Sequence, residues 1–229
     1  MATTLIPPKP GLEEIEHLRA RMRRMQAPVM GREIPTHPAL SGVVQLRAGG
    51  TYALDGSSLA LALMAGPSAA GEWCAVIGVP DLGLEAASEL GIALERLILV
   101  PDPGESWLEA TAALIDVTAC VVVRPPVRVT ERTAERLAAR LRTRSAALLA
   151  IGDWPRAEMR LRMTQPRWSG VGEGHGVLTA RQVVIESQRG SAPITRASVW
   201  FPAADGGLRA AGLDTPLRSY SANDIREVG

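Results

Sequence analysis

The sequence predicts an α/β fold: a central, mainly parallel β-sheet flanked by helices, followed by antiparallel strands. Three observations carry this. Short, near-continuous apolar runs at Trp73–Ile77, Leu97–Val100, Ala119–Val123 and Ala146–Ile151 have the composition of parallel strands covered on both faces. Helical patterns separate these runs at the spacing of successive βα units. After Gly152 the pattern changes to alternating apolar and polar residues over Glu158–Trp168, Gln182–Gln188 and Ala197–Phe201, the period of half-exposed antiparallel strands.

Taken in order, residues 1–10 form a Pro-rich lead-in, and Leu12, Ile15, Leu18, Met22 and Met25 then recur at helical spacing on one apolar stripe. Glu13, Glu14 and Glu16 sit early in this helix and Arg19, Arg21, Arg23 and Arg24 late, which suits its dipole at both ends. A linker with three prolines, residues 26–38, separates the helix from the core. Val43, Val44 and Leu46 then precede the Gly49-Gly50 turn into a strand over Thr51–Leu54. The helix that follows, Ser57–Met64, is apolar almost all round and therefore buried, with Gly66-Pro67 and Gly71 closing it.

A short helix over Leu82–Leu90 ends at Gly91, and a further helix spans Ser106–Asp116, with Ser106 as its cap and Glu109 in the capping-box position. From Thr130 the segment ERTAERLAARLRTR turns Ala134, Leu137, Ala138 and Leu141 inward and arginines outward. The connection over residues 170–177 is glycine-rich and reads as a mobile loop, and residues 203–229 lack a strong period and read as a flexible tail. Three parts result: an N-terminal helix and linker (1–38), a core domain (39–202) and a tail (203–229).

Composition narrows the function classes. The 229 residues are 46% apolar and 21% charged, an ordinary globular balance, and the net charge of +1 gives no global basic field to recruit nucleic acid. Cys74 and Cys120 both lie inside apolar runs, and His17, His37 and His175 have no ligand spacing, so neither a disulfide framework nor a metal site is expected. The N-terminus lacks a charged region followed by an apolar core, and no apolar run approaches the ~20 residues of a membrane span. A cytoplasmic protein is expected.

The stretch RAGGTYALDGSSLALALMA, residues 47–65, is a strand, a small-residue turn and a helix, the place a phosphate-binding loop would occupy. Such a loop needs Gly, four residues, then Gly-Lys-[Ser/Thr]: backbone N–H groups wrap the phosphates, the lysine neutralises them and the hydroxyl ligates Mg²⁺. Here Gly56 and Ser58 fit, but Thr51 stands at the first glycine and Ser57 at the lysine. Lys9 is the chain's one lysine, so none elsewhere substitutes. Taken alone, the residues also fit any strand leading into a helix capped by Gly56-Ser57-Ser58.

Five parallel strands followed by antiparallel ones, with a phosphate-loop position at the first turn, resemble the RecA core. The run Gly71–Ile115 resembles the RecA segment in which a helix ends at a Leu-Gly-Ile turn and the next strand reaches a Pro-Asp-x-Gly-Glu motif, here Pro101-Asp102-Pro103-Gly104-Glu105. Leu178–Pro202 similarly resembles the last two core strands, with Gln188-Arg189-Gly190 at their turn. Size and the degenerate loop make the chain resemble the ImuA family, the RecA-like accessory proteins of the damage-inducible mutasome, and its short ImuA-prime branch in particular.

The resemblance implies work with ImuB and, through it, with a damage-inducible C-family DNA polymerase and the sliding clamp, in SOS-induced translesion synthesis and mutagenesis. The partner surfaces expected are the stripe Leu12, Ile15, Leu18, Met22 and Met25, and the tail positions Leu213, Leu217, Tyr220 and Ile225.

The departures from RecA fall at the chemistry. Ser57 replaces the lysine, Arg124 replaces the metal-holding acid, and the catalytic glutamate position falls at Pro80 or beside Asp81. Phosphoryl transfer depends on positioning and electrostatics, so a non-catalytic ATPase fold without cofactor is expected. Arg167 and Arg189, with Trp168, are the candidate DNA contacts, weighed against solvated edge arginines and a core tryptophan. A SulA-like division inhibitor, a nucleotide sensor and a partner of RecA filaments are the alternatives.

Overall fold

The computed structural model describes residues 31–172 and 175–211. Among these residues nine strands form one sheet in the order β3-β2-β4-β5-β1-β6-β7-β8-β9. β1 (Thr51–Leu54), β2 (Cys74–Ile77), β3 (Leu97–Val100), β4 (Cys120–Val123) and β5 (Ala147–Ile151) run parallel, and β6 (Met159–Gly172) joins β1 in parallel. β7 (His175–Gln188), β8 (Thr195–Trp200) and β9 (Arg209–Ala210) continue antiparallel. This mainly parallel α/β sheet with an antiparallel end is the one that the alternation of apolar runs predicts.

Alternate strand residues feed two cores. On one face Cys74, Val76, Cys120 and Val122 pack with α1 (Ser57–Ala69) and with Val183, Ile185 and Val199 of the antiparallel strands. α2 (Leu84–Glu89) adds Ala87 to the same face. On the other, Ala75, Ile77, Val121 and Val123 pack with Trp107 and Ile115 of α3 (Trp107–Ile115) and with Ala134, Leu137 and Leu141 of α4 (Glu131–Arg144). α4 starts where its cap predicts: the Thr130 hydroxyl accepts the Thr133 N–H at 3.2 Å.

Several boundaries move. α1 runs through Gly66 and Pro67 instead of stopping there. Pro67 lies inside the last turn and has no N–H to give the Leu63 carbonyl, and Gly66 is a packing residue: a Cβ there would lie 2.5 Å from the Pro35 carbonyl oxygen. Residues 31–38, expected in the linker, therefore belong to the core. Ile34 is buried, and the Ile34 N–H donates to the Leu46 carbonyl at 2.9 Å. Ser106 makes no side-chain cap, because a 3-10 turn over Gly104–Ser106 precedes α3.

The glycine-rich residues 170–177 are not a long loop. The β6–β7 ladder continues through Val171↔Gly176 to Gly172↔His175, leaving only residues 173–174 between the strands, outside the described residues. Beyond Pro202 the chain also stays on the sheet: Leu208 is buried and β9 pairs with β8, so residues 203–211 are core and not tail.

Candidate functional site

In parallel α/β sheets ligands enter where neighbouring strands send their chains to opposite faces. Here β2, which leads to α2, differs in this from both of its neighbours, β3 and β4, which lead to α3 and α4 on the other side. β2 is tied to both neighbours at its end: the Arg124 N–H donates to the Ile77 carbonyl at 2.9 Å, joining β4 to β2, and the Gly78 N–H to the Val100 carbonyl at 2.9 Å, joining β2 to β3. Gly78 has φ +71°, and a Cβ on it would lie 2.4 Å from the Arg124 carbonyl oxygen.

Across the mouth, Arg124 Nη1 donates to Asp81 Oδ1 at 2.7 Å. That hydrogen bond holds the Asp81 carboxyl below the usual carboxylate range. Arg124, at the position of the metal-holding acid, is thus half of a neutral pair with Asp81.

The phosphate-loop position is equally altered. Thr51 is buried inside β1, in register with Leu148, so the first glycine position lies in the sheet. Only Asp55 and Gly56 link β1 to α1. Gly56 is extended, with φ −171°, a conformation any residue adopts, and nothing crowds its missing Cβ. Ser57 and Ser58 open α1, which has no side-chain cap. Asp55 Oδ2 accepts the Met163 N–H at 2.6 Å, pinning the link to β6. A two-residue, pinned connection has no span with which to wrap phosphate groups.

Of the arginines proposed for DNA, Arg189 pairs with Glu158 at 2.8 Å. Arg167 is exposed on β6, opposite Gln182, and has no ion pair among the described residues. Reading the sequence missed its neighbours. Met159 and Leu161 turn inward, so Arg160 and Arg162 line the solvent face of the same strand, also without ion pairs among the described residues. The alternation EMRLRM was the available signal. Trp168 is half exposed, not core, and the Arg181 guanidinium stacks between its ring (5.3 Å) and that of Phe201 (5.7 Å).

Arg160 also borders a cavity of about 980 Å³ between the β4–α4 connection and residues 152–155, which Arg128, Asp153 and Trp154 help to line. Leu12, Ile15, Leu18, Met22, Met25, Leu213, Leu217, Tyr220 and Ile225 lie outside the described residues. Among the described residues no cluster of His, Cys, Asp and Glu is placed to hold a metal, and no helix is long and apolar enough to cross a membrane.

The family model of the MT3502 N-terminal domain matches residues 39–156, just over half of the chain. The chain belongs to this family. Its matched region runs from the 3-10 turn before β1 into the β5–β6 connection, and so contains both the β1–α1 link and the Asp81–Arg124 pair. The uncharacterized protein Rv3395c of Mycobacterium tuberculosis is 40% identical over 157 residues, covering 66% of this chain and 76% of that protein. Among solved structures, the flagellar accessory protein FlaH of Methanocaldococcus jannaschii superposes with a TM-score of 0.47 at 10% identity, over 67% of this chain and 86% of that one.

Proposed function

We propose that this member of the MT3502 N-terminal domain family is a non-catalytic RecA-fold adaptor: it binds ImuB and, through it, serves the C-family polymerase and sliding clamp in error-prone translesion synthesis. The observations that carry the reading are the two-residue β1–α1 link at the phosphate-loop position and the Arg124–Asp81 pair across the β2 and β4 ends. A fold that keeps its sheet and loses the positioning of phosphate retains its use as a platform. The stripe Leu12–Met25 supplies an apolar surface for a partner.

Co-expression with ImuB followed by size-exclusion chromatography and mass determination tests this. A stoichiometric complex, lost when Leu18 and Met22 are changed to Asp while the melting curve is unchanged, supports it. Separate peaks from two folded proteins refute it.

A second reading adds contact with single-stranded DNA, favoured by the row Arg160, Arg162 and Arg167 on β6, which has no ion pair among the described residues. Arg160 and Arg162 are about 6.6 Å apart along the strand. Three phosphate contacts would give a log–log salt slope of about −2. Binding that ignores salt refutes this reading.

A further inference from the structure

The antiparallel strands have one face in the core and one outside it. Val183, Ile185 and Val199 point inward, so by alternation Gln182, Val184, Ser198 and Trp200 stand on the opposite face, and none of these four joins either core. Pairing lines up one row across that face: Arg167 lies opposite Gln182, Gln182 opposite Trp200, and Trp200 opposite Arg209. Neighbouring strands are about 4.8 Å apart, so Trp200 stands about 10 Å across the sheet from Arg167.

The row ends in a cavity of about 510 Å³. Trp200, Ala180, Ala203 and Ala204 give it apolar walls, and Asp205 and Arg209 form its polar rim. Small-ligand sites occupy roughly 300–1,000 Å³ and share this make-up, an apolar lining with a few polar groups. The acids on this side are already matched: Asp205 pairs with Arg209, and Glu186, on the same face of β7, pairs with Arg196 at 2.7 Å. Arg160, Arg162 and Arg167 have no ion pair among the described residues, so they leave positive charge beside an apolar, tryptophan-walled slot.

We infer that this slot takes a base of single-stranded DNA: while the β6 arginines hold the phosphates, one base reaches across Gln182 and stacks on the Trp200 ring. The inference rests on the single-stranded DNA contact proposed above and adds what charge alone does not supply, an aromatic face for the base. Because every base has a π-face, such a slot tolerates any sequence.

Fluorescence anisotropy of the full chain, with a labelled oligothymidine and with an abasic strand of equal length and charge, tests this. The wild type should bind the thymidine strand at least about fivefold more tightly, the lower end of base–aromatic stacking. Trp200→Leu should remove that preference and leave abasic binding and the salt slope unchanged. Ala204→Phe, which plugs the slot from an exposed position, should do the same. If neither strand binds the wild type, the inference falls together with the DNA reading. If the wild type binds both strands equally, or if variants with wild-type melting curves keep the full preference, the slot is refuted while the DNA reading stands. Should Trp200→Leu unfold the protein, Ala204→Phe alone decides.

Discussion

Replacing Gly78 by alanine tests whether the β2 and β4 ends are closed on each other. Two costs are readable from the geometry. A residue with a Cβ in the left-handed region, here at φ +71°, costs about 1–2 kcal/mol. The new methyl group would also sit 2.4 Å from the Arg124 carbonyl oxygen, a backbone atom held by the β4 ladder, and overpacking of this kind adds about 1–3 kcal/mol. A loss of about 2–5 kcal/mol should lower the melting temperature by about 4–20 °C for a chain of this size. Gly83→Ala is the control, since its nearest neighbour is the Ala86 Cβ at an ordinary 3.6 Å. Differential scanning calorimetry of both variants reads the difference. A Gly78→Ala protein within about 0.5 kcal/mol of the wild type, in the range of neutral surface changes, would refute the closure.

Other perturbations read other parts of the structure. Gly66→Ala should gain about 1 kcal/mol of helix propensity and lose more to overlap with the backbone of residues 35–37, so a net drop in the urea midpoint is expected; a rise would mean that this segment does not cross α1. Leu141→Ala, at a fully buried position between α4 and the sheet, should cost about 2–5 kcal/mol by the same assay.

Stability should also fall on acidification in two stages. Burial lowers the pKa of His37, whose Nδ1 accepts the Ala39 N–H, so the unfolded chain takes up that proton first and stability declines below about pH 6.5. Hydrogen bonds from Arg124, Arg140 and Arg209 depress Asp81, Asp116 and Asp205; their contribution is complete above about pH 4 and disappears as pH falls through the depressed values. Urea midpoints of the wild type and His37→Gln between pH 8 and 5 isolate the first stage, and identical profiles would exclude it.

The parallel strands were legible because burial on both faces leaves an uninterrupted apolar run: the bounds of β3 coincide with the run read at Leu97–Val100. α4 was legible through Thr130 and its inward stripe. Gly66-Pro67 misled because in sequence a helix stop and a close helix crossing look alike; what distinguishes them is Pro35, 31 residues away in the chain. Residues 170–177 misled because glycines in a strand mimic a loop. At Gly170, with φ +113°, a Cβ would lie 2.2 Å from the Val177 carbonyl oxygen.

At the candidate site, the missing lysine and acid were visible directly. The register of the β1–α1 link and the pairing of Arg124 with Asp81, 43 positions apart, depend on tertiary geometry that no local pattern carries.

The most direct test of the closed crevice is a titration of the purified full chain with fluorescent ATP and ADP in the presence of Mg²⁺, followed by displacement with unlabelled nucleotide. The account predicts no saturable, displaceable signal up to millimolar nucleotide, equivalent to binding weaker than about −4 kcal/mol. Displaceable binding at micromolar concentration would contradict it and return the β1–α1 link to the status of a working phosphate site.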